Sequence, residues 1–223
     1  ETVFENVVLN WQFFVAVIGT AVIAYLLGSI NFAIIITKFR SHKDIRDYGS
    51  GNAGMTNVLR TEGKKSAAVV LVGDFLKGVA AVGVGYLLAY WLIGPQSIRL
   101  GGLIGCLFVM IGHLFPVFYQ FKGGKGVLAS AGAIIMLDPL VFGVILLVFL
   151  IVVACSKIVS LASICAAAMF PVSVLVLGLL FGKSDVWVEF AFAFVVGAAV
   201  IAKHHQNIVR LVHGTENKLG KKK

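Results

Sequence analysis

Residues 11–36 read WQFFVAVIGTAVIAYLLGSINFAIII, and this run decides the class of fold. It holds no Asp, Glu, Lys or Arg, and a run of about 20 apolar residues or more can cross a hydrocarbon layer roughly 30 Å thick. In such a layer the backbone must bond to itself, so the run is expected to be helical. Glu1 and Glu5 precede it where a cleaved leader would carry lysines, which predicts a span that is retained. Gly28, Ser29 and Asn31 mark its inner end.

The rest of the chain repeats the pattern. Further apolar spans are expected at Ser66–Leu92, Leu100–Tyr119, Val127–Leu137, Leu140–Ala154, Ile158–Phe181 and Trp187–Ala202. The fourth of the seven, Val127–Leu137, is short, ends at Asp138-Pro139, and needs its preceding glycines to reach across, unless it is partly re-entrant. Of the 223 residues, 59% are hydrophobic and 13% charged, with a mean hydropathy of +0.98. No soluble domain needs that much apolar sequence for its core. The expected fold is an all-α integral membrane protein with seven transmembrane helices, residues 1–223 forming one membrane-embedded domain.

A formal charge of +9 would suggest nucleic acid in a soluble chain, but here the cations sit in short loops between spans, where they set orientation. Alternate loops and the tail carry sixteen Lys and Arg on one side against Arg99 and Lys183 on the other. The amino terminus is therefore expected outside and the carboxyl terminus in the cytoplasm. Cys106, Cys155 and Cys165 show no paired or metal-ligand spacing and are expected to be reduced packing residues. No metal or cofactor is expected.

That orientation puts four polar islands on the cytoplasmic face. The largest, within Thr37–Lys65, contains Ser50-Gly51-Asn52-Ala53-Gly54-Met55-Thr56-Asn57-Val58-Leu59-Arg60. Gly49, Gly51 and Gly54 can take the positive φ of a backbone nest, while Arg60 offers a two-pronged fork to phosphate oxygens. The same residues equally fit a plain loop in which Thr56 or Asn57 caps the next helix. The second island is Lys122-Gly123-Gly124-Lys125-Gly126, a mobile backbone with two cations beside a helix start, though not a Walker sequence. Ser156–Ser163 is the third. The fourth holds His204 and Asn207, three apart and so on one helix face, with His205 pointing elsewhere. Inside the second span Asp74 and Lys77 are also three apart, the spacing of a mutual pair turned into the bundle. His113, before Pro116, is expected to be an interior histidine or a support for the site. His42 and Asp47 have the spacing of a general-base dyad, which two residues in a charged loop reach by chance.

Taken in order, these blocks resemble the bacterial acyl-phosphate:glycerol-3-phosphate acyltransferases of the PlsY type. The resemblance covers Gly28-Ser29-Ile30, Gly49 to Asn52 with Thr56, Asn57 and Arg60, Asp74 with Lys77-Gly78, Gly112-His113 with Pro116, Phe121 to Val127, Ser160 to Ile164, and His204 with Asn207-Ile208. Asn31 departs from a usual proline, Met55 from alanine, and Leu128-Ala129 from Ala-Thr. The resemblance implies transfer of a fatty acyl group from acyl phosphate to the sn-1 hydroxyl of glycerol 3-phosphate. It assigns catalysis to Ser50, Arg60, Lys125, His204 and Asn207. Substrate contacts fall to Gly51, Asn52, Gly54, Thr56, Asn57, Lys122, Gly123, Gly124, Gly126 and Ser163. The partners implied are the two substrates and the lipid bilayer of a bacterial inner membrane. A transporter of a phosphorylated solute is the competing class, but no inverted repeat is evident and the islands lie at one face rather than at midplane.

Overall fold

The computed structural model describes residues 10–220. Glu1 and Glu5, and with them the amino-terminal side of the orientation reading, lie outside the described residues, as do the last three lysines of the tail. Ten α-helices follow in order: α1 Trp11–Ser29, α2 Phe32–Ser41, α3 Met55–Thr61, α4 Lys64–Leu92, α5 Ile98–Leu114, α6 Val127–Leu137, α7 Pro139–Ser156, α8 Val159–Leu180, α9 Val186–Lys203 and α10 His205–Val212. The described chain forms two compact units, Glu1–Leu137 and Asp138–Lys223.

The first apolar run is two helices rather than one. Ile30 is extended, and the Asn31 side chain accepts the Ile34 N–H at 3.1 Å, capping α2. An Asn that bonds to nearby backbone favours a cap over a helix interior. The break frees the last carbonyls of α1, which a buried cation collects: Lys77 Nζ donates to Gly28 O at 3.1 Å and Ile30 O at 2.6 Å.

In the first unit α4 packs against α1, α5 and α6. The approach of α4 to α6 is close enough that a Cβ on Gly132 would run into the Phe75 carbonyl, the small-residue contact on which membrane helices rely. At the α2 end, Ile34, Ile45, Ala53, Val58 and Val70 form a fully buried cluster beneath the first polar loop. Burying each Ile or Val there contributes roughly 1.5–3 kcal/mol, so the loop rests on packed core. In the second unit α8 packs against both α7 and α9.

Large apolar side chains also cover the outside. Leu76, Leu87, Leu147, Ile151, Leu179 and Phe194 are all exposed, as a lipid-facing surface requires. Among the described residues six helical segments are long and apolar enough to cross a membrane. The expected fourth span, α6, has 11 residues, or about 16 Å at 1.5 Å per residue. Its preceding glycines do not lengthen it, since Gly126 has φ +83° and breaks the helix. Cys106 is buried as expected, but Cys155 is exposed rather than packed.

Candidate active site

One buried side chain, bonded to backbone at every polar atom, shapes the first loop. Asn57 is fully buried; its Oδ1 accepts Ser50 N–H at 2.9 Å, and its Nδ2 donates to Ile45 O at 3.1 Å and Tyr48 O at 2.9 Å. The amide thus staples the loop across its own mouth, which positions Ser50. Gly49 and Gly51 have φ +61° and +71°, as a nest requires. Gly54 does not: its φ of −159° is extended, and it is the N-cap of α3. The helix therefore starts ahead of Thr56 and Asn57, and neither caps it. Arg60 lies exposed in the last turn of α3.

Arg46 ties this loop to the second island. It pairs with Asp44 at 2.8 Å and donates to Tyr119 O at 2.9 Å and Lys122 O at 3.3 Å. The guanidinium beside Asp44 holds that carboxyl below its ordinary range. Stability from the pair is therefore present above about pH 4 and lost only as pH falls through the lowered value. Gln120 and Phe121, just before Lys122, both have φ near +57°, a left-handed strain that non-glycine residues keep only when neighbours enforce it. Gly124 donates to His113 O at 3.1 Å, and a Cβ on it would meet Ala53 O at 2.6 Å. The two glycine loops therefore meet at Gly124 and Ala53, with Lys125 half-buried and Lys122 exposed on the same short segment.

Behind this meeting point sits the buried pair expected of the second span. Lys77 Nζ lies 2.8 Å from Asp74 Oδ1 and 2.8 Å from His113 Nδ1. His42 and Asp47, the accidental dyad, are both exposed.

In the second unit the candidates sit on or beside helices. The Ser163 hydroxyl donates to Val159 O at 3.0 Å, and His204 Nδ1 meets Val200 O at 2.7 Å. His204 and Asn207 are buried while His205 is exposed, as the spacing implies, although His204 interrupts the helix between α9 and α10. Asn207 Nδ2 donates to Glu216 Oε1 at 3.1 Å, and Glu216 Oε2 accepts from Arg210 at 2.8 Å. Sequence reading missed Glu216. A lone carboxylate in an otherwise basic tail, two residues after Gly214, was the available signal.

The family described as glycerol-3-phosphate acyltransferase matches residues 18–214. A glycerol-3-phosphate acyltransferase of Dechloromonas aromatica (strain RCB) is 45% identical over 203 residues, 91% of this chain and 96% of its own. One of Thermoanaerobacter sp. (strain X514) is 42% identical over the same shares of each chain. Among solved structures, the integral membrane glycerol 3-phosphate acyltransferase PlsY in its glycerol 3-phosphate form is 36% identical, with a TM-score of 0.77 over 92% of this chain and 96% of that one. Its lysophosphatidic acid form gives a TM-score of 0.75. With both glycine loops, the buried Asp74–Lys77 pair and the His204–Asn207 turn inside the matched region, the chain belongs to the glycerol-3-phosphate acyltransferase family and is an integral membrane acyltransferase.

Proposed function

We propose that this acyltransferase takes its acyl group from acyl phosphate and places it on the sn-1 hydroxyl of glycerol 3-phosphate. The meeting of two glycine loops at Gly124 and Ala53, each carrying cations, supports the reading most directly. Donor and acceptor both carry phosphate, and two such loops, with Arg60 on one and Lys122 and Lys125 on the other, suit two phosphates. Ser50, Asn52, Thr56 and the backbone of Gly51, Gly54, Gly123, Gly124 and Gly126 line the phosphate sites, with Asn57 holding their shape. The resemblance assigns His204 and Asn207 to the glycerol hydroxyls and Ser163 to substrate contact.

Acyl phosphate is already activated, so positioning and charge stabilisation suffice. The acceptor oxygen bonds to the acyl carbon, the bond from that carbon to the phosphate oxygen breaks, and phosphate leaves with the electron pair and the hydroxyl proton. Lysophosphatidic acid and inorganic phosphate result. Purified protein given palmitoyl phosphate and glycerol 3-phosphate should release both in equal amounts. Equal or faster turnover with palmitoyl-CoA as donor would refute the reading.

Seven crossings and a cytoplasmic site belong to the same proposal, with residues 1–223 acting as one domain in the bacterial inner membrane. Support for α6 as a crossing comes from its far end: Arg99, at the start of α5, donates to Leu137 O, and Tyr86 donates to Met136 O at 2.8 Å. The helix thus runs back along α5 to the level of its first turn. In a protein lacking its three native cysteines, Lys43→Cys and Lys122→Cys should resist an impermeant thiol reagent in intact cells while Lys183→Cys reacts. The reverse pattern would overturn the orientation.

A further inference from the structure

The buried Asp74–Lys77–His113 cluster reaches the glycine loops through one side chain. Lys77 has three ammonium protons and four close neighbours: Gly28 O, Ile30 O, His113 Nδ1 and Asp74 Oδ1. Asp74 Oδ1 pairs with the ammonium at 2.8 Å. The ammonium donates to the Gly28 and Ile30 carbonyls and meets His113 Nδ1 at 2.8 Å, while the carboxylate compensates the charge. An ammonium accepts no hydrogen bond, so Nδ1 must be the unprotonated nitrogen and Nε2 carries the proton. That edge faces the site. A Cβ on Gly124 would collide with His113 Nε2 and, at 2.6 Å, with Ala53 O, so the Nε2 edge and the Ala53 carbonyl flank the same α-carbon. The His113 carbonyl holds the same residue from the backbone side, accepting the Gly124 N–H.

We propose that His113 is a positioning residue for the phosphate of glycerol 3-phosphate: fixed by Lys77 as the Nε2-protonated tautomer, it sets the Gly123-Gly124 turn against Ala53 at the spacing the two loops need to grip that phosphate. The inference rests on the function proposed above. A buried ion pair in the body of a transmembrane helix is costly to keep, and this one does more than hold α1, α4 and α5 together. It fixes which edge of a histidine meets the phosphate loops.

Two substitutions separate the roles. His113→Asn places an amide oxygen where Nδ1 stood, so Lys77 keeps its acceptor while the donor at Nε2 is lost. His113→Gln places an amide N–H near Nε2 and weakens the contact with Lys77. Calorimetric titration with glycerol 3-phosphate should show Kd raised about tenfold or more in His113→Asn with a melting temperature close to the parent protein. His113→Gln should melt earlier yet bind within about threefold. A His113→Asn protein that binds as tightly as the parent overturns the proposal, as does one in which both substitutions weaken binding in step with melting. Should His113→Gln fail to fold, 15N spectra of the parent protein's histidines decide, because a His113 protonated at Nδ1 contradicts the assignment. Turnover, measured separately with palmitoyl phosphate, tests the function; intact binding with no turnover would fail that reading alone.

Discussion

The two units hold their candidate residues in different ways. In the first, irregular backbone is held by side chains reaching far along the chain, Arg46 to Lys122 and Lys77 to Gly28, and by Asn57, which bonds three backbone groups of its own loop at once. In the second, Ser163 and His204 bond four residues back along the helix, and Asn207 meets Glu216 nine residues on. Long-range ties give a loop one shape but make it vulnerable to substitutions that touch no substrate. Local ties confine damage to the residue changed.

The sharpest way to break that contrast is Asn57→Ala, which strands the half-buried Ser50 N–H and leaves the Ile45 and Tyr48 carbonyls only the backbone donors of Tyr48 and Gly51. At about 1–3 kcal/mol for a group left unpaired, with smaller losses at the two carbonyls, the first unit should lose about 2–4 kcal/mol and activity should fall more than at any other position. A melting curve in detergent beside a turnover assay checks both, and a stable, active variant would show that the loop shapes itself. Arg60→Lys comes next. It keeps the charge, so melting should be unchanged while turnover falls about 100-fold, or about 2.7 kcal/mol at 1.36 kcal/mol per decade, through loss of the fork.

Glu216→Gln should cost less, about tenfold in activity. One amide oxygen replaces two carboxylate oxygens that now serve Asn207 and Arg210, and the disturbance should stay in the second unit. A drop as deep as that of Asn57→Ala would erase the contrast. The smallest effect is expected at His42→Ala, which should change turnover less than about twofold because the side chain is exposed in a loop held by others. Loss of activity there, with Arg60→Lys unaffected, would restore a general-base mechanism.

Much of this contrast was legible in the sequence, for a physical reason. Apolar spans announce themselves by length and composition, and the expected ends of α4, α7, α8 and α9 fall within about two residues of those found, the usual spread of helix ends. The Asp74–Lys77 pair followed from spacing alone. What escaped is long-range. That Asn31 would break the first span depended on Lys77, distant in sequence, taking the carbonyls released. Gly54 was expected to need positive φ like its neighbours, but its extended conformation is set by the start of α3. Asn57 resembled a ligand because an amide can serve a phosphate or a backbone equally well, and only the fold shows which groups surround it. Glu216 carried no periodic signal, since its partners Asn207 and Arg210 lie across a turn.

The central claim is that positioned charge moves the acyl group directly from one phosphate-bearing substrate to the other, with no covalent enzyme intermediate. Ser50 is the residue on which it turns: half-buried, with its N–H fixed by Asn57, it could bind a phosphate or attack an acyl carbon. Intact-mass spectrometry of the purified protein incubated with palmitoyl phosphate and no acceptor tests the claim most directly. The account predicts an unchanged mass, with Ser50→Ala lowering turnover through weaker binding; a palmitoyl group found on Ser50, and transferred when glycerol 3-phosphate is added, would contradict it.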